Sequence, residues 1–225
     1  MSEGRLVRVP TAFGDGGEPM TRAAMMDIGI AEAAVVAETT VSAQTQRVRS
    51  VLPERVVVLG GCCCAHVGAV AGLADRAGRV AVVWIDAHGD LNTPQTSPSG
   101  NEWGMPFRMI LDDGHVRVED SCLIGARSLD PPEQEFILTR GLATELGTLE
   151  GVAGAYIAFD CDVLDPGQID CFMPEPDGIS LDRGVAIVER VSSRTTILGM
   201  GLTGLVESPR NPPRLRRLLD AAGLG

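Results

Sequence analysis

Short apolar runs alternate with longer stretches of mixed polarity along most of this chain. The clearest runs are Arg55–Leu59 (RVVVL) and Val80–Ile85 (VAVVWI), which are long enough for a strand and too short for a helix. Their Val, Ile and Trp residues favour strands buried on both faces. Further strands are predicted over Arg5–Val9, Ser121–Ala126, Ala155–Phe159 and Thr195–Met200.

Helical patterns fill the intervals between these runs. The segment Met20–Leu52 contains no proline and much Ala, Val, Met and Gln, which favours one or two helices. Other predicted helices are His66–Ala77, Gly104–Leu111, Pro132–Thr139, Leu181–Val191 and Arg214–Ala222. Alternating strands and helices predict an α/β fold in which a mostly parallel central sheet is covered by helices on both faces.

Ionisable residues follow the predicted strand Val80–Ile85 directly. Asp86, His88 and Asp90 occupy alternate positions, and alternate residues of an extended chain point to one side. Two carboxylates and an imidazole brought together suit Mn²⁺, Fe²⁺, Co²⁺ or Zn²⁺ better than Ca²⁺. The alternative is that these side chains only cap a helix or form turns.

A second pair of carboxylates, Asp160 and Asp162, repeats this spacing after the strand Ala155–Phe159. Four carboxylates packed together would repel one another unless cations neutralise them. Two divalent ions that share bridging carboxylates would use all of them and would lower the pKa of a bridging water. We therefore predict a metal site at the C-terminal edge of the sheet. The alternative for this pair is capping of the following turn.

Composition narrows the class of partner. The net charge of −11 argues against nucleic acid, because phosphate binding needs clustered Lys and Arg. No apolar run reaches the length of about 18 residues that spans a membrane, and the first ten residues show no signal-peptide pattern. We therefore expect a cytoplasmic protein whose six cysteines are thiols.

Three motifs resemble those of the arginase, agmatinase and formiminoglutamase superfamily, the ureohydrolases. They are DAHGDLNTPQTSPSGN at Asp86–Asn101, FDCDVLDP at Phe159–Pro166, and Gly60-Gly61 after the RVVVL strand. The resemblance covers about Val56–Pro209. It implies a three-layer α/β/α fold, a homo-oligomer and two Mn²⁺ ions, with one ion, or Zn²⁺, Fe²⁺ or Co²⁺, as open alternatives. We expect one arginase-like domain over residues 1–225, short or divergent before about residue 55.

The resemblance also implies an activity and a set of site residues. The activity is cleavage of a C–N bond in a guanidino or amidino small molecule (arginine-like, agmatine-like or formimino) by a metal-bridging hydroxide. The implied metal ligands are Asp86, His88, Asp90, Asp160 and Asp162, with Cys63 at the position of a family histidine. The implied substrate-binding residues are Asn92, Ser99, Asn101, Trp103, Asp130 and Glu133, and the implied catalytic residues are Asp90 and Glu207.

Three positions depart from the family pattern. Cys63 replaces a histidine ligand, and its softer thiolate moves metal preference from Mn²⁺ toward Zn²⁺ or Fe²⁺, unless His66 ligates instead. Trp103 replaces the histidine that moves protons, and it either stacks on a guanidinium or only packs. Val206 stands at the place of the family glutamate, so Glu207 reaches the site only through a bulge.

These departures leave two hypotheses. The chain is either a metal-dependent hydrolase of the ureohydrolase type or a catalytically impaired family homologue that serves as a metal-binding structural or regulatory protein. The five retained ligands and the retained polar loop favour the enzyme. The altered positions favour the impaired homologue.

Overall fold

The computed structural model describes residues 4–225, so residues 1–3 of the expected domain lie outside the described residues. One seven-stranded sheet forms its centre. The strands are β1 (Leu6–Val9), β2 (Glu32–Val35), β3 (Val56–Gly60), β4 (Val80–Ile85), β5 (Ser121–Ile124), β6 (Gly154–Asp160) and β7 (Ile197–Thr203). Their order is β2-β1-β3-β7-β6-β4-β5, and every neighbouring pair is parallel.

Helices cover both faces of this sheet. They are α1 (Glu18–Ala23), α2 (Val41–Val51), α3 (Ala65–Ala77), α4 (Pro106–Asp112), α5 (Pro131–Arg140), α6 (Leu181–Ser192) and α7 (Asn211–Ala221). Buried residues of α6 and α7 pack on one face, and buried residues of α2, α3, α4 and α5 pack on the other. The predicted three-layer α/β/α fold is therefore confirmed. No helix within residues 4–225 is long and apolar enough to cross a membrane.

The central strands are apolar throughout because each face of the sheet has its own core. In β4, Val83 packs into the core under α6 and α7, whereas the next residue, Trp84, packs into the opposite core. The ring of Trp84 is stacked on Phe107 of α4, with ring centroids 4.7 Å apart. Burial of each large side chain of this kind contributes roughly 1.5–3 kcal/mol.

The prediction of one or two helices over Met20–Leu52 is confirmed, but the middle of the segment contains a strand that was not predicted. Helices α1 and α2 are present, but β2 lies between them as the edge strand of the sheet. Its sequence, EAAV, shows neither alternation nor an apolar run, and its side chains are mostly exposed. The strand is specified by its pairing with β1, in which Leu6 faces Glu32, and this tertiary contact has no local sequence signal.

Candidate metal centre and its pocket

The C-terminal ends of four adjacent strands, β3, β7, β6 and β4, bring the ionisable residues together. Cys63 follows β3, Asp86 follows β4, Asp160 is the last residue of β6, and Asp162 lies in the short 3-10 helix Cys161–Val163. All four side chains are buried. Parallel strands present their carboxyl ends at one edge, where ligand sites of this fold class occur.

The ligand atoms form two groups that share Asp86. One group is Cys63, Asp86 and Asp160, and the other is Asp86, His88 and Asp162; within each group the ligand atoms all lie within 4.8 Å of one another. Two groups with a common carboxylate are the arrangement that a pair of neighbouring divalent ions requires.

Asp90 joins this cluster through an unusual backbone conformation. Its φ of 52° is left-handed, so the chain after β4 does not continue as the extended segment that the alternate spacing predicts. Its Oδ2 atom is buried and has no hydrogen-bond partner among the described residues. A buried carboxylate oxygen without a partner is costly, and a bound cation would remove that cost.

The electrostatics of the cluster also call for a cation. Burial, and then the charges of neighbouring aspartates, raise the pKa values of Asp90 and Asp162 well above their usual range. The same causes raise the pKa of Asp160 to about 6. One positive group faces them: burial opposes the charge of His88, but its bonds to Asp162 and Asp86 outweigh burial and raise its pKa to about 12.

His88 is held from two sides. Its Nδ1 lies 3.1 Å from Oδ2 of Asp162 and 3.6 Å from Oδ1 of Asp86, and its Nε2 lies 3.6 Å from Oε1 of Glu175. One imidazolium cannot balance four ionised aspartates, so without a further cation the raised pKa values keep protons on some of them. Carboxylate oxygens with one imidazole and one thiol fit one or two divalent transition metals, which bind in place of the imidazolium proton.

Cys63 lies among the candidate metal ligands, as the motif resemblance implies. Its Sγ atom is 2.9 Å from Oδ2 of Asp160, 3.1 Å from Oγ1 of Thr203 and 3.9 Å from Oδ2 of Asp86. Burial, and then the charges of Asp160, Asp90 and Asp86, raise the pKa of the thiol well above its usual range. Without a cation, the neutral thiol therefore donates its proton toward Asp160.

His66, the alternative ligand, does not join these groups. Helix α3 places it in the core, where its Nδ1 lies 2.9 Å from Oη of Tyr156 and its Nε2 lies 3.2 Å from Oγ1 of Thr203. Burial lowers its pKa to about 3. Both nitrogens are already engaged, so His66 supports Thr203, whose hydroxyl lies 3.1 Å from Oδ2 of Asp160.

Sequence reasoning missed three residues that shape the cluster. Thr203, at the end of β7, contacts both Cys63 and Asp160. Trp84 donates its indole N–H to Oδ2 of Asp86 at 3.0 Å. Gly204 has a φ of 71°, and a Cβ there would collide with the Asp160 carboxylate. A polar residue and a glycine at the end of an apolar strand, in GLTGLVES, are the signals that could have identified Thr203 and Gly204.

A pocket of about 250 Å³ opens above the cluster. Its acidic floor is formed by Asp86, Asp90, Asp160 and Asp162. A polar rim contains Asn92, Ser99 and Asp130, and an apolar wall contains Met20, Cys62, Trp103, Phe172 and Met173. Most of the residues to which the motif comparison gives a substrate-binding role therefore line one cavity.

Two of the predicted substrate-binding residues accept hydrogen bonds from backbone N–H groups of other segments. Asn101 is outside the pocket lining, and its Oδ1 accepts a hydrogen bond from the backbone N–H of Asp15 at 3.2 Å. Glu133 lines the pocket, but it accepts hydrogen bonds from the backbone N–H groups of Leu91 at 3.0 Å and Asp130 at 2.9 Å. It thereby ties the start of α5 to the loop after β4.

Glu207, predicted as a catalytic residue, is not brought to the pocket. Its side chain is 64% exposed, and its carboxylate lies 4.0 Å from Nε of Arg22. The chain leaves the sheet at Gly204, and Val206 donates its backbone N–H to the Asp170 carbonyl at 3.1 Å. No bulge in this segment returns the Glu207 carboxylate to the acidic floor, so a catalytic role does not fit its position.

The chain is similar in sequence to known arginases. A model of the arginase family matches residues 9–207. The arginase of Bacillus subtilis (strain 168) is 35% identical over 154 residues, which cover 55% of this chain and 52% of that protein. The arginase of Bacillus caldovelox is 36% identical over 142 residues, 50% of this chain and 48% of that protein. The chain thus spans about half the length of the curated relatives it matches.

Solved structures share the fold. The crystal structure of arginase from Bacillus cereus superposes with a TM-score of 0.80 at 23% identity, covering 100% of this chain and 99% of that one. Formimidoylglutamase from Bacillus subtilis subsp. subtilis str. 168 gives a TM-score of 0.77 at 16% identity, covering 99% and 86%. Because the family match over residues 9–207 takes in the whole cluster of buried carboxylates, this chain belongs to the arginase family.

Proposed function

We propose that this protein is a metal-dependent hydrolase of the ureohydrolase type, acting on a C–N bond of a small guanidino, amidino or formimino compound. The observation that carries the proposal is the pair of ligand groups sharing Asp86 at the base of a pocket, with the Oδ2 atom of Asp90 buried beside them without a partner. Carboxylates packed this closely repel one another unless cations neutralise them.

Two divalent ions are the proposed cofactors. Cys63, Asp86 and Asp160 would hold one, and Asp86, His88 and Asp162 the other, with Asp90 completing the set. The predominance of carboxylates favours Mn²⁺, and the thiol of Cys63 draws the first position toward Zn²⁺ or Fe²⁺. When bound, such ions lower the pKa of water, so that a nucleophile is available at neutral pH.

The side chains of this protein position the reactants. Asp90 lies in the pocket floor, where its carboxylate would help to hold the metal ions and would act in catalysis as the motif resemblance implies. Asp162 and Glu175 fix the ring of His88 from opposite sides. A small-molecule substrate fits this cavity, and assembly as a homo-oligomer and a cytoplasmic location stay predictions.

A catalytically impaired homologue is the second candidate. It is favoured by the position of Glu207, which leaves the pocket without the carboxylate that the motif comparison expects, and by Trp103, whose indole is neither a general acid nor a general base. In this case the metal ions would have a structural role only.

Metal analysis and a turnover screen separate the two candidates. Purified protein is loaded with Mn²⁺, Zn²⁺ or Co²⁺, its metal content is measured, and urea and ammonia release are followed with arginine, agmatine, guanidino acids and formiminoglutamate. The hydrolase hypothesis requires metal-dependent release of urea or ammonia from at least one compound. Asp162→Asn should abolish this release. The matched control is Asp112→Asn, whose carboxylate is on the surface and pairs with Arg108. Metal binding without any release would favour the impaired homologue.

A further inference from the structure

One part of the pocket lining is apolar and aromatic. The rings of Trp103 and Phe172 meet edge to face, with centroids 5.8 Å apart and an interplanar angle of 68°. The partly buried Trp103 and Phe172 pack with buried Met20 and Cys62 in one cluster, separate from the two cores of the sheet. The sequence motifs give no role to this wall beyond Trp103.

Both aromatic rings are held in place before any ligand binds. The Trp103 ring lies against Gly14, where a Cβ atom would collide with it, and the backbone N–H of Trp103 donates to the Phe13 carbonyl at 3.3 Å. The backbone N–H of Phe172 donates to the carbonyl of Gly204 at 2.8 Å, beside the Asp160 carboxylate. Since the wall is pre-organised, burying a ligand group against it costs little conformational entropy.

The polar side chains of the rim already form hydrogen bonds with one another and with neighbouring loop residues. Nδ2 of Asn92 donates to Oδ2 of Asp130 at 2.8 Å, and Oδ1 of Asn92 accepts from Oγ1 of Thr96 at 2.9 Å. Oγ of Ser99 accepts from the backbone N–H of Asn101 at 3.2 Å. Within residues 4–225, no Lys or Arg side chain lines the pocket, and His88 belongs to the proposed metal ligands, so the rim and the apolar wall offer no basic side chain to a substrate carboxylate.

We propose that the pocket selects guanidines and amidines whose substituent is apolar and planar, such as an aryl group, over those that carry an amino-acid carboxylate. This inference rests on the proposed hydrolase function. The reactive carbon would lie over the acidic floor and the substituent against Trp103 and Phe172. For an aryl guanidine, water adds across the scissile C–N bond and the products are urea and the aryl amine.

The expected preference for an aryl over a methyl substituent follows from the apolar area that one aromatic ring buries. Transfer of an aromatic ring from water to an apolar wall, with edge-to-face contacts, corresponds to affinity about 10- to 100-fold tighter than that of a methyl-substituted analogue.

The test compares phenylguanidine, methylguanidine and arginine on the Mn²⁺-loaded protein. Dissociation constants are measured by calorimetry, and urea release is measured separately on the same samples. We expect phenylguanidine to bind at least 10-fold more tightly than methylguanidine and than arginine. Trp103→Leu should reduce this ratio to about 1–3, and Trp103→Phe should retain most of it.

Met173→Ser guards against a folding defect in Trp103→Leu, because Met173 is 40% exposed and lines the same wall. It should reduce the phenylguanidine preference while methylguanidine affinity stays within 2-fold. Equal affinities for phenylguanidine and methylguanidine, or tighter binding of arginine, would overturn the inference. If urea is then released from arginine or methylguanidine, the hydrolase function stands without it. An aryl preference without urea release from any compound supports the inference about the wall and counts against the hydrolase function.

Discussion

The sulphur of Cys63 lies 2.9 Å from Oδ2 of Asp160, although 97 residues separate the two in the chain. The contact joins the ends of β3 and β6 across β7, and Thr203 of β7 bonds to both side chains. A thiol in this place makes the two ligand groups chemically different, because one contains Cys63 with two carboxylates and the other contains His88 with two carboxylates.

We therefore predict that the two metal positions differ in their affinity for Mn²⁺. The position with Cys63 should be the weaker one, because Mn²⁺ prefers oxygen and nitrogen ligands to a thiolate. Cys63→His should raise Mn²⁺ occupancy toward two ions per chain, measured by equilibrium dialysis with elemental analysis. Cys122→Ala removes a buried thiol of β5 outside the pocket lining and should leave occupancy unchanged. Binding of two Mn²⁺ ions with equal affinity by the unaltered protein would contradict this prediction.

Metal should stabilise the fold measurably. An ion at 100 times its dissociation constant that binds only the folded state adds about 2.7 kcal/mol to the free energy of unfolding. For a chain of this size that corresponds to a rise in Tm of about 5–10 °C. Asp86→Asn removes the carboxylate that the two ligand groups share, so most of the rise should be lost.

The measurement is thermal unfolding of chelated protein with and without added Mn²⁺. Asp112→Asn is the control, since its carboxylate belongs to a surface pair with Arg108 and should leave the Mn²⁺-dependent rise intact. An unchanged Tm for the unaltered protein on addition of Mn²⁺, Zn²⁺ and Co²⁺ would argue against a metal centre at this edge of the sheet.

Much of the fold and of the acidic floor could be predicted because the sequence patterns that specify them lie within short stretches of the chain. The apolar run Val80–Ile85 and the ionisable residues after it are adjacent in sequence, and parallel strands necessarily bring such strand ends to one edge. The supporting contacts are not local. Thr203 reaches His66 across 137 residues, and no spacing rule links two such positions. The exit of the chain at Gly204, which carries Glu207 to the surface, depends on one positive φ angle that a sequence pattern does not display.

The pH dependence of stability should show the burial of His66. Its folded-state pKa of about 3 lies below the usual value of 6.5, because burial disfavours the imidazolium. As the pH falls below about 6.5, the unfolded chain binds a proton that the folded chain does not, so stability falls by about 1.4 kcal/mol per pH unit down to the folded-state pKa. Tyr156 faces one ring nitrogen and Thr203 the other, and the charge of Asp86 opposes the effect of burial on the ring.

Urea unfolding of the unaltered protein and of His66→Asn, both in chelator, isolates this contribution. The aspartates of the floor also titrate in acid, but they are present in both proteins and largely cancel in the difference. The advantage of the unaltered protein over His66→Asn should shrink by about 1.4 kcal/mol for each pH unit between pH 6 and pH 4. A difference that does not change with pH would mean that His66 is protonated in the folded protein.

Arginine should be a poor substrate, because two groups that would serve its chemistry are absent from the pocket. Trp103 occupies the place of a histidine that would move protons to the leaving amine, and loss of general acid–base help typically costs about 10²–10⁴ in rate. Glu207, the carboxylate that the motif resemblance implies as the partner of the guanidinium, lies at the surface, so Glu207→Gln should change turnover by less than about 2-fold. With Mn²⁺, arginine turnover by the unaltered protein should therefore fall below the range of roughly 1–10³ per second that is ordinary for enzymes.

Trp103→His should raise arginine turnover, whereas Trp103→Phe, which restores no proton-transfer group, should not. Urea release under saturating arginine is the measurement. Turnover within the ordinary range in the unaltered protein would show that another side chain moves the proton.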